Sequence, residues 1–352
     1  MKIAHLIFSF DTGGTETMLV DIMNEQVKTE NVNLFIINKS INDEILRNID
    51  NQVKVVKINR TQSSKNPFPI LKLNYLLNKL NPDIIHCHNN NAIDTLMLPS
   101  IRKKAVLTIH DTQINYPRFN KYKKRFVISN AVMQDIQERY KLKSTLVYNG
   151  IRIDDLKILE KKKQIHNAFR IVQVGRLLHE KKGQDLLLRA ISLLKDKNIF
   201  IDFIGDGISM SYLKQLVNEL ELNDSVTFLG QKDRSYIYQH LCEYDLLVQP
   251  SLFEGFGLTV AEGMAAKIPV LVSDIEGPME VIGDGMYGYH FKTQDVDDLA
   301  FKLNEIIENY DKEEFRNIVD SVYEYVKEKF EIKQTAQKYI QEYKNLLFAG
   351  NK

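Results

Sequence analysis

Two glutamates, Glu254 and Glu262, bracket the glycine-rich run Gly255-Phe256-Gly257-Leu258-Thr259. A short apolar strand, Asp245 to Val248, precedes the run, and an Ala/Met-rich segment of helical pattern follows it. The first N–H groups of a helix have no partner inside it, so those near Gly257, Leu258 and Thr259 form a seat for phosphate or diphosphate. Carboxylates repel such an anion. Glu254, in the loop, and Glu262, about one turn into the helix, are suited instead to accept hydrogen bonds from sugar hydroxyls on either side of the phosphates. The chemistry this outlines is the binding of a sugar nucleotide.

The Glu-x7-Glu spacing of Glu254-Gly-Phe-Gly-Leu-Thr-Val-Ala-Glu262 closely resembles the signature of the retaining family-4 glycosyltransferases. The resemblance implies an α/β chain of the GT-B fold, with two Rossmann-like doubly wound parallel-sheet domains facing across a cleft. It extends to Val174-Gly175-Arg176 and Lys181-Lys182-Gly183, which look like the family's diphosphate clamp. Breaking a glycosidic bond to a nucleoside diphosphate builds negative charge on the leaving group, and preorganised cations lower that barrier. Arginine grips phosphate oxygens with a planar fork, and lysine adds a compact charge. The clamp is assigned to Arg176 and Lys182, the lysine that precedes the glycine, with Lys181 left open as the alternative. Alone, such a pair would read as a solvated basic turn; Glu254 and Glu262 reverse that preference.

Further segments match the family. Phe203-Ile204-Gly205-Asp206-Gly207 resembles its glycine turn beside the nucleotide, and Val226 to Gly230 resembles the strand that places the backbone near Gln231 against the base. Gly13-Gly14 looks like the loop that approaches the donor diphosphate, and His110, ending Leu107-Thr108-Ile109, looks like the histidine beside the transferred sugar. The family's reaction pattern implies catalytic roles for Arg176, Lys182, Glu254 and His110, with closure bringing Gly14 and His110 to the donor. The remaining residues of the glycine run, with Gly13, Gly14, Gly205, Gln231 and Glu262, would bind the donor. His86-Cys87-His88 suggests a metal site, because residues 86 and 88 share one face of a strand. No third and fourth ligand with zinc-like spacing accompanies them, and the metal reading is set aside. Gly13-Gly14 also lacks the third glycine of a dinucleotide fingerprint, which disfavours a dehydrogenase.

The expected function is transfer of a hexose, with retention, from a nucleoside-diphosphate sugar to a glycan in bacterial-type surface polysaccharide or glycoconjugate assembly. A UDP-sugar is preferred over a GDP-sugar. The acceptor is expected to be linked to a lipid diphosphate, and no cofactor or nucleic-acid partner is expected. No metal is expected either: Arg176, a lysine and a helix start meet the diphosphate charge, and the sequence is read as lacking the Asp-x-Asp that metal-dependent transferases use to hold a cation. The alternatives are a nucleotide-sugar epimerase of the same fold, separated by its product from donor alone, and a non-catalytic partner subunit.

The elements that must position these residues alternate. Strands read from Lys2 to Phe8, Val32 to Ile37, Val53 to Ile58, Asp83 to Cys87, Ala105 to Ile109 and Arg125 to Ile128. A charged run, Asp154 to Lys163, is the linker candidate. A second series follows at Phe169 to Val174, Ile199 to Ile204, Val226 to Leu229, Asp245 to Val248 and Val270 to Val272. The domains are drawn at 1–165, for the acceptor, and 166–331, for the nucleotide sugar. A last helix, about 332–348, resembles the one that in GT-B enzymes crosses back onto the first domain. The opening Met1 to Phe10 reads as a strand, not a signal peptide, so a cytosolic protein is expected.

Net charge is +1 with 26% charged residues, but the distribution is uneven. Residues 1–165 hold 26 basic and 16 acidic side chains, a net of +10, which leaves −9 for the remainder. The basic half is expected to meet an anionic membrane at its inner face, through Arg102-Lys103-Lys104 and Lys121 to Arg125, with Tyr116, Phe119 and Tyr122 at headgroup level.

Overall fold

The computed structural model describes residues 1–11, 13–159, 168–194, 197–310 and 312–349. The linker candidate lies outside them from residue 160 on. The chain divides into two compact units, one formed by Met1–Ile151 with the chain from Phe330 onward, the other by Arg152–Lys329.

Unit 1 carries a seven-stranded parallel sheet of β1 (Lys2–Ile7), β2 (Asn31–Asn38), β3 (Lys54–Arg60), β4 (Ile84–Cys87), β5 (Ala105–Ile109), β6 (Lys124–Val127) and β7 (Thr145–Leu146). Their order is β3-β2-β1-β4-β5-β6-β7, so the winding reverses between β1 and β4. Helices cover both faces of such a sheet, which explains why β5 is buried along its whole length instead of alternating. The helix Ile332–Ala349 belongs to this unit. Its Tyr339 and Tyr343 are fully buried among Ile3, Met18, Ile22, Val106 and Phe126. The returning chain is tied in by Ile151 N–H to the Phe330 carbonyl (2.8 Å) and Ile332 N–H to the Ile151 carbonyl (3.0 Å).

Unit 2 repeats the plan with six parallel strands: β8 (Phe169–Val174), β9 (Ile199–Ile204), β10 (Val226–Gly230), β11 (Leu246–Gln249), β12 (Val270–Ser273) and β13 (Tyr289–Phe291). The order β10-β9-β8-β11-β12-β13 puts its reversal between β8 and β11. Its core joins Ile171, Ile201, Phe203, Val248 and Leu271 of the strands to Leu187, Leu213 and Leu299 of the covering helices. In both units, loops diverge at the C-terminal ends of the two strands flanking the reversal, leaving the crevice where α/β sheets bind ligands. Among the described residues Cys87 and Cys242 are buried and form no disulfide. Among the described residues no helix is long and apolar enough to cross a membrane.

Candidate functional site

In unit 2 the loops after β8 and β11 meet at the reversal. After β8 come Arg176 and the short helix His179–Lys182. That helix ends on Gly183 at φ 64°, where a Cβ would lie 2.0 Å from the Pro250 carbonyl oxygen, so only glycine lets the two loops approach this closely. Leu252 N–H then donates to the Lys181 carbonyl at 2.9 Å. This docking seats the Lys182 ammonium directly on the Glu254 carboxylate, with both side chains largely buried. Of the two lysines, Lys182 is therefore the one whose amine stands at the glycine run. Gln173 Nε2 donates to the Lys182 carbonyl (2.8 Å) and Gln184 Nε2 to the Arg176 carbonyl (3.0 Å), which fixes the backbone carrying both cations. Arg176 is itself exposed, and among the described residues its guanidinium makes no hydrogen bond.

The helix Leu258–Ala265 starts from Gly257, which is left-handed at φ 106° and has no side chain to cap the turn. Val260 and Ala261 N–H reach back to the Gly257 carbonyl, and among the described residues the N–H groups of Leu258 and Thr259 meet no acceptor. An uncapped helix start beside a lysine is an anion seat, and Arg176 stands in the loop after the neighbouring strand β8. Gln249 orients its rim: its Nε2 donates to Ser251 Oγ at 2.8 Å and reaches Glu254 at 3.4 Å, while its Oε1 accepts from Thr259 Oγ1 at 3.3 Å. Gly255, Phe256 and Gly257 are buried, so the run presents backbone rather than side chains. Glu262, one turn into the helix, is nearly buried; it accepts from Tyr238 OH (3.2 Å) and lies 3.9 Å from Arg234 Nη2.

The other unit 2 candidates line up on the neighbouring strand ends. Gly205 N–H donates to the Gly230 carbonyl (2.9 Å) and Gly175 N–H to the Ile204 carbonyl (2.9 Å), stacking the turns after β8, β9 and β10, with Gln231 exposed beside the last. The chain does contain one Asp-x-Asp, Asp295-Val296-Asp297, two strands away from the reversal. Asp295 there caps the helix Val296–Asn309 by accepting from Asp298 N–H.

Gly13, Gly14 and His110 belong to unit 1 and share the C-terminal edge of its sheet. Gly14 opens the helix Gly14–Gln26 after β1, and His110 directly follows β5. Between them the structure corrects the reading of His86-Cys87-His88. Parallel pairing sets His5 of β1 opposite His86 of β4, a third histidine that spacing along the chain could not supply. The ligand-type nitrogens of His5, His86 and His88 lie within 4.8 Å of one another.

These nitrogens are mostly engaged already. His86 Nε2 meets Thr108 Oγ1 at 2.7 Å and its Nδ1 meets Tyr343 OH at 2.5 Å. His5 Nε2 meets Gln26 Oε1 at 2.8 Å and its Nδ1 meets His88 Nε2 at 3.0 Å. Burial pushes His5 down to about 4, against its bond to Gln26, and holds His86 and His88 well below the ordinary imidazole range. All are neutral at pH 7, so each ring has one donor and one acceptor nitrogen. With the Gln26 carbonyl accepting from His5 Nε2, His5 accepts at Nδ1, His88 donates from Nε2, and His88 Nδ1 is left a bare, buried acceptor. His110 Nε2 is also buried without a partner, and burial takes that imidazole to about 4 despite the opposing Asp111 carboxylate. The two rings lie 5.9 Å apart, centre to centre. Two partnerless neutral nitrogens at a strand edge can hold a hydroxyl, but they offer no charge to an anion.

The expected membrane aromatics are corrected as well. Phe119 and Tyr122 are buried, and Tyr122 OH donates to the Asn90 carbonyl at 2.7 Å. Tyr116 is half-buried and donates to Asp94. Lys124 pairs with Glu342, and Arg125 spends its guanidinium on the carbonyls of Phe119, Tyr122 and Lys143.

Comparison with known proteins adds independent findings. The family model described as glycosyl transferases group 1 matches residues 155–321, and that described as glycosyltransferase family 4 matches residues 12–155. The putative teichuronic acid biosynthesis glycosyltransferase TuaC of Bacillus subtilis is 30% identical over 73% of this chain and 69% of that protein. A Campylobacter jejuni N-acetylgalactosamine-N,N'-diacetylbacillosaminyl-diphospho-undecaprenol 4-alpha-N-acetylgalactosaminyltransferase is 26% identical over 82% of this chain and 85% of its own length. Four further curated relatives are spanned over 56–75% of their length. The crystal structure of Anabaena Alr3699/HepE in complex with UDP-glucose superposes with a TM-score of 0.84, covering 98% of this chain and 100% of that one at 20% identity, a likeness of fold.

Proposed function

The chain belongs to the family 4 glycosyltransferases and has their GT-B fold, and from that premise we propose that it transfers a hexose, with retention, from a nucleoside-diphosphate sugar to a glycan carried on a lipid diphosphate. Unit 2 binds the donor and unit 1 the acceptor. The observation that carries this reading is the uncapped helix start at Leu258 and Thr259 beside the Lys182–Glu254 pair, with Arg176 in the loop that follows the neighbouring strand β8. A diphosphate seated there meets two cations and two free N–H groups. Glu254 takes hydroxyls of the donor sugar, and Glu262, held by Tyr238 and Arg234, takes those of the ribose. UDP is the preferred nucleotide; the backbone near Gln231 reads the base.

In the reaction, the acceptor hydroxyl oxygen bonds to the anomeric carbon on the face from which the diphosphate departs. The bond from that carbon to the diphosphate oxygen breaks, and the hydroxyl proton passes to the leaving diphosphate. No separate base is needed. Arg176, Lys182 and the helix start stabilise the charge that grows on the leaving group. The family resemblance assigns His110 a role toward the transferred sugar. The role in cell-surface polysaccharide or glycoconjugate assembly draws support from the names of the Bacillus and Campylobacter relatives.

A thermal-shift screen with UDP, GDP and ADP tests the donor site. The favoured nucleotide at 100 times its Kd adds about 2.7 kcal/mol of stability. Absence of a shift with all three would remove the reading. Proton NMR of the product's anomeric centre then tests retention.

A further inference from the structure

We propose that unit 1 docks on an anionic lipid bilayer through the outward face of the helix Phe68–Leu80 and the adjoining turn at Met97 and Leu98. The proposal rests on the lipid-linked acceptor read above. The helix has two apolar stripes. Leu73 and Leu77 face the core, whereas Phe68 is 73% exposed, Tyr75 65% and Leu71 46%. At 3.6 residues per turn, Phe68, Tyr75 and Lys79 share one outward line, with Lys72 on one flank and Leu71 on the other. On the Leu71 side, Asn74 donates to the Thr95 carbonyl and accepts from Met97 N–H (2.8 and 2.7 Å). Arg102 closes on the Leu96 carbonyl from beyond (2.9 and 2.6 Å). The turn is therefore held against the helix, and it holds Met97, 52% exposed, and Leu98 outward. An apolar patch kept in water by a bonded frame marks an interaction surface.

Charge selects the occupant. From Thr61 to Pro82 there is no acidic residue, and Lys65, Lys72 and Lys79 are all exposed; Thr95 to Lys104 adds Arg102, Lys103 and Lys104, again with no acid. Aromatic and aliphatic side chains ringed by lysine suit the headgroup layer of an anionic bilayer. A second copy fits less well, because a twofold contact would set Lys72 and Lys79 against themselves. In a parallel α/β sheet, a helix that follows a strand starts at the strand's C-terminal edge. The Phe68 end therefore lies on the same edge of unit 1 as Gly14, His88 and His110, where an acceptor rising from the membrane must arrive.

Co-sedimentation with vesicles of phosphatidylcholine alone, or with about one third phosphatidylglycerol, tests the surface at low and high salt. The full chain is expected to bind the anionic vesicles. F68S/Y75S should lower the partition coefficient about tenfold per side chain at every salt concentration. K72S/K79S should lower it about fivefold per lysine at low salt and flatten the salt dependence. K121S/K123S should match the parent. These side chains are exposed, and a retained melting point together with a UDP-induced shift certifies each variant. No binding by the parent, or equal binding by parent and F68S/Y75S, overturns the proposal. So does a concentration-dependent dimer, seen by light scattering, that F68S/Y75S abolishes. Each leaves the UDP shift intact, whereas failure of the transferase reading appears as loss of that shift whatever the vesicles do.

Discussion

The site of unit 2 is built around the charged side chains of Arg176, Lys182 and Glu254, whereas the imidazoles at the strand ends of unit 1 are neutral. Both sheets are parallel and reverse direction between their first and fourth strands in sequence, so both build a crevice at the same topological place. Unit 2 fills its crevice from loops, where Arg176 is exposed and Lys182 keeps an ionised partner in Glu254. Unit 1 fills it from the strands themselves: His5, His86 and His88 sit inside the sheet, and burial strips their charge. The difference teaches what kind of group each crevice suits. A diphosphate needs cations, which survive only where water or a counter-ion sustains them. A sugar hydroxyl needs neutral acceptors and donors of fixed direction, which a buried imidazole chain supplies.

The largest expected effect breaks the charged side of the comparison. Arg176→Ala or Lys182→Ala should lower kcat about 100- to 1000-fold, more than it weakens donor binding, because the contact strengthens as charge develops on the diphosphate. Steady-state kinetics beside calorimetric UDP titration separate the two. Near-normal turnover in both variants would remove the clamp.

The next effect sharpens the neutral side. Each histidine of unit 1 titrates lower in the folded state than in the unfolded chain, whose ordinary value is 6.5. As pH falls below 6.5 the unfolded chain binds protons first, so stability is full above that pH and is lost toward pH 4, by about 1.4 kcal/mol per pH unit for each histidine. Hydrogen-exchange protection of β4 and β5 should fall accordingly between pH 6.5 and 4.5. Protection that stayed flat over that range would mean the imidazoles are charged or solvated in the folded protein.

A smaller effect distinguishes the two carboxylates of unit 2. Glu262→Gln should weaken UDP and UDP-sugar alike, about tenfold, because the neutral amide accepts a weaker hydrogen bond from the ribose. Glu254→Gln should spare UDP and weaken only the nucleotide sugar. Titration calorimetry on both variants decides, and the reverse pattern would exchange their roles.

How much of this was legible in the sequence depends on the range of the interaction. The strands Phe169–Val174 and Ile199–Ile204 and the helix start at Leu258 are local patterns, and they stand where the residues put them. Thr145–Leu146 and Tyr289–Phe291 were missed, being too short to show any period. The choice between Lys181 and Lys182 turned on how Gly183 docks against Pro250, a contact between loops about 70 residues apart. His5 joining His86 depends on the register of β1 against β4, and Arg234 and Tyr238 holding Glu262 depends on helix packing; neither leaves a mark in spacing. Phe119 and Tyr122 lie among lysines and read as surface, yet Arg125 folds their backbone inward by binding the carbonyls. The exposed stripe of Phe68, Leu71 and Tyr75 leaves no mark of its own in the sequence, because periodicity cannot say which of two apolar faces meets the core.

The smallest expected effect is the absence of one: chelation should leave turnover unchanged. A cation could serve either side of the comparison, bridging the diphosphate in unit 2 or joining the histidines in unit 1. In unit 2, a diphosphate seated as proposed would meet two basic side chains and the N–H groups of Leu258 and Thr259, and the Glu254 carboxylate is held by Lys182. The one Asp-x-Asp is a helix cap two strands away. In unit 1, His5 and His86 use both ring nitrogens on protein partners, so a metal would have to displace Gln26, Thr108 or Tyr343. Assays after dialysis against EDTA, with and without added Mg²⁺, Mn²⁺ or Zn²⁺, should give equal rates and equal melting points. Activity lost to EDTA and restored by Mg²⁺ or Mn²⁺ would place a cation on the diphosphate and reduce the clamp to a supporting role. Melting raised by Zn²⁺ and reversed in His5→Gln would instead turn the histidine chain into a metal centre, and the neutral side of the comparison would fail.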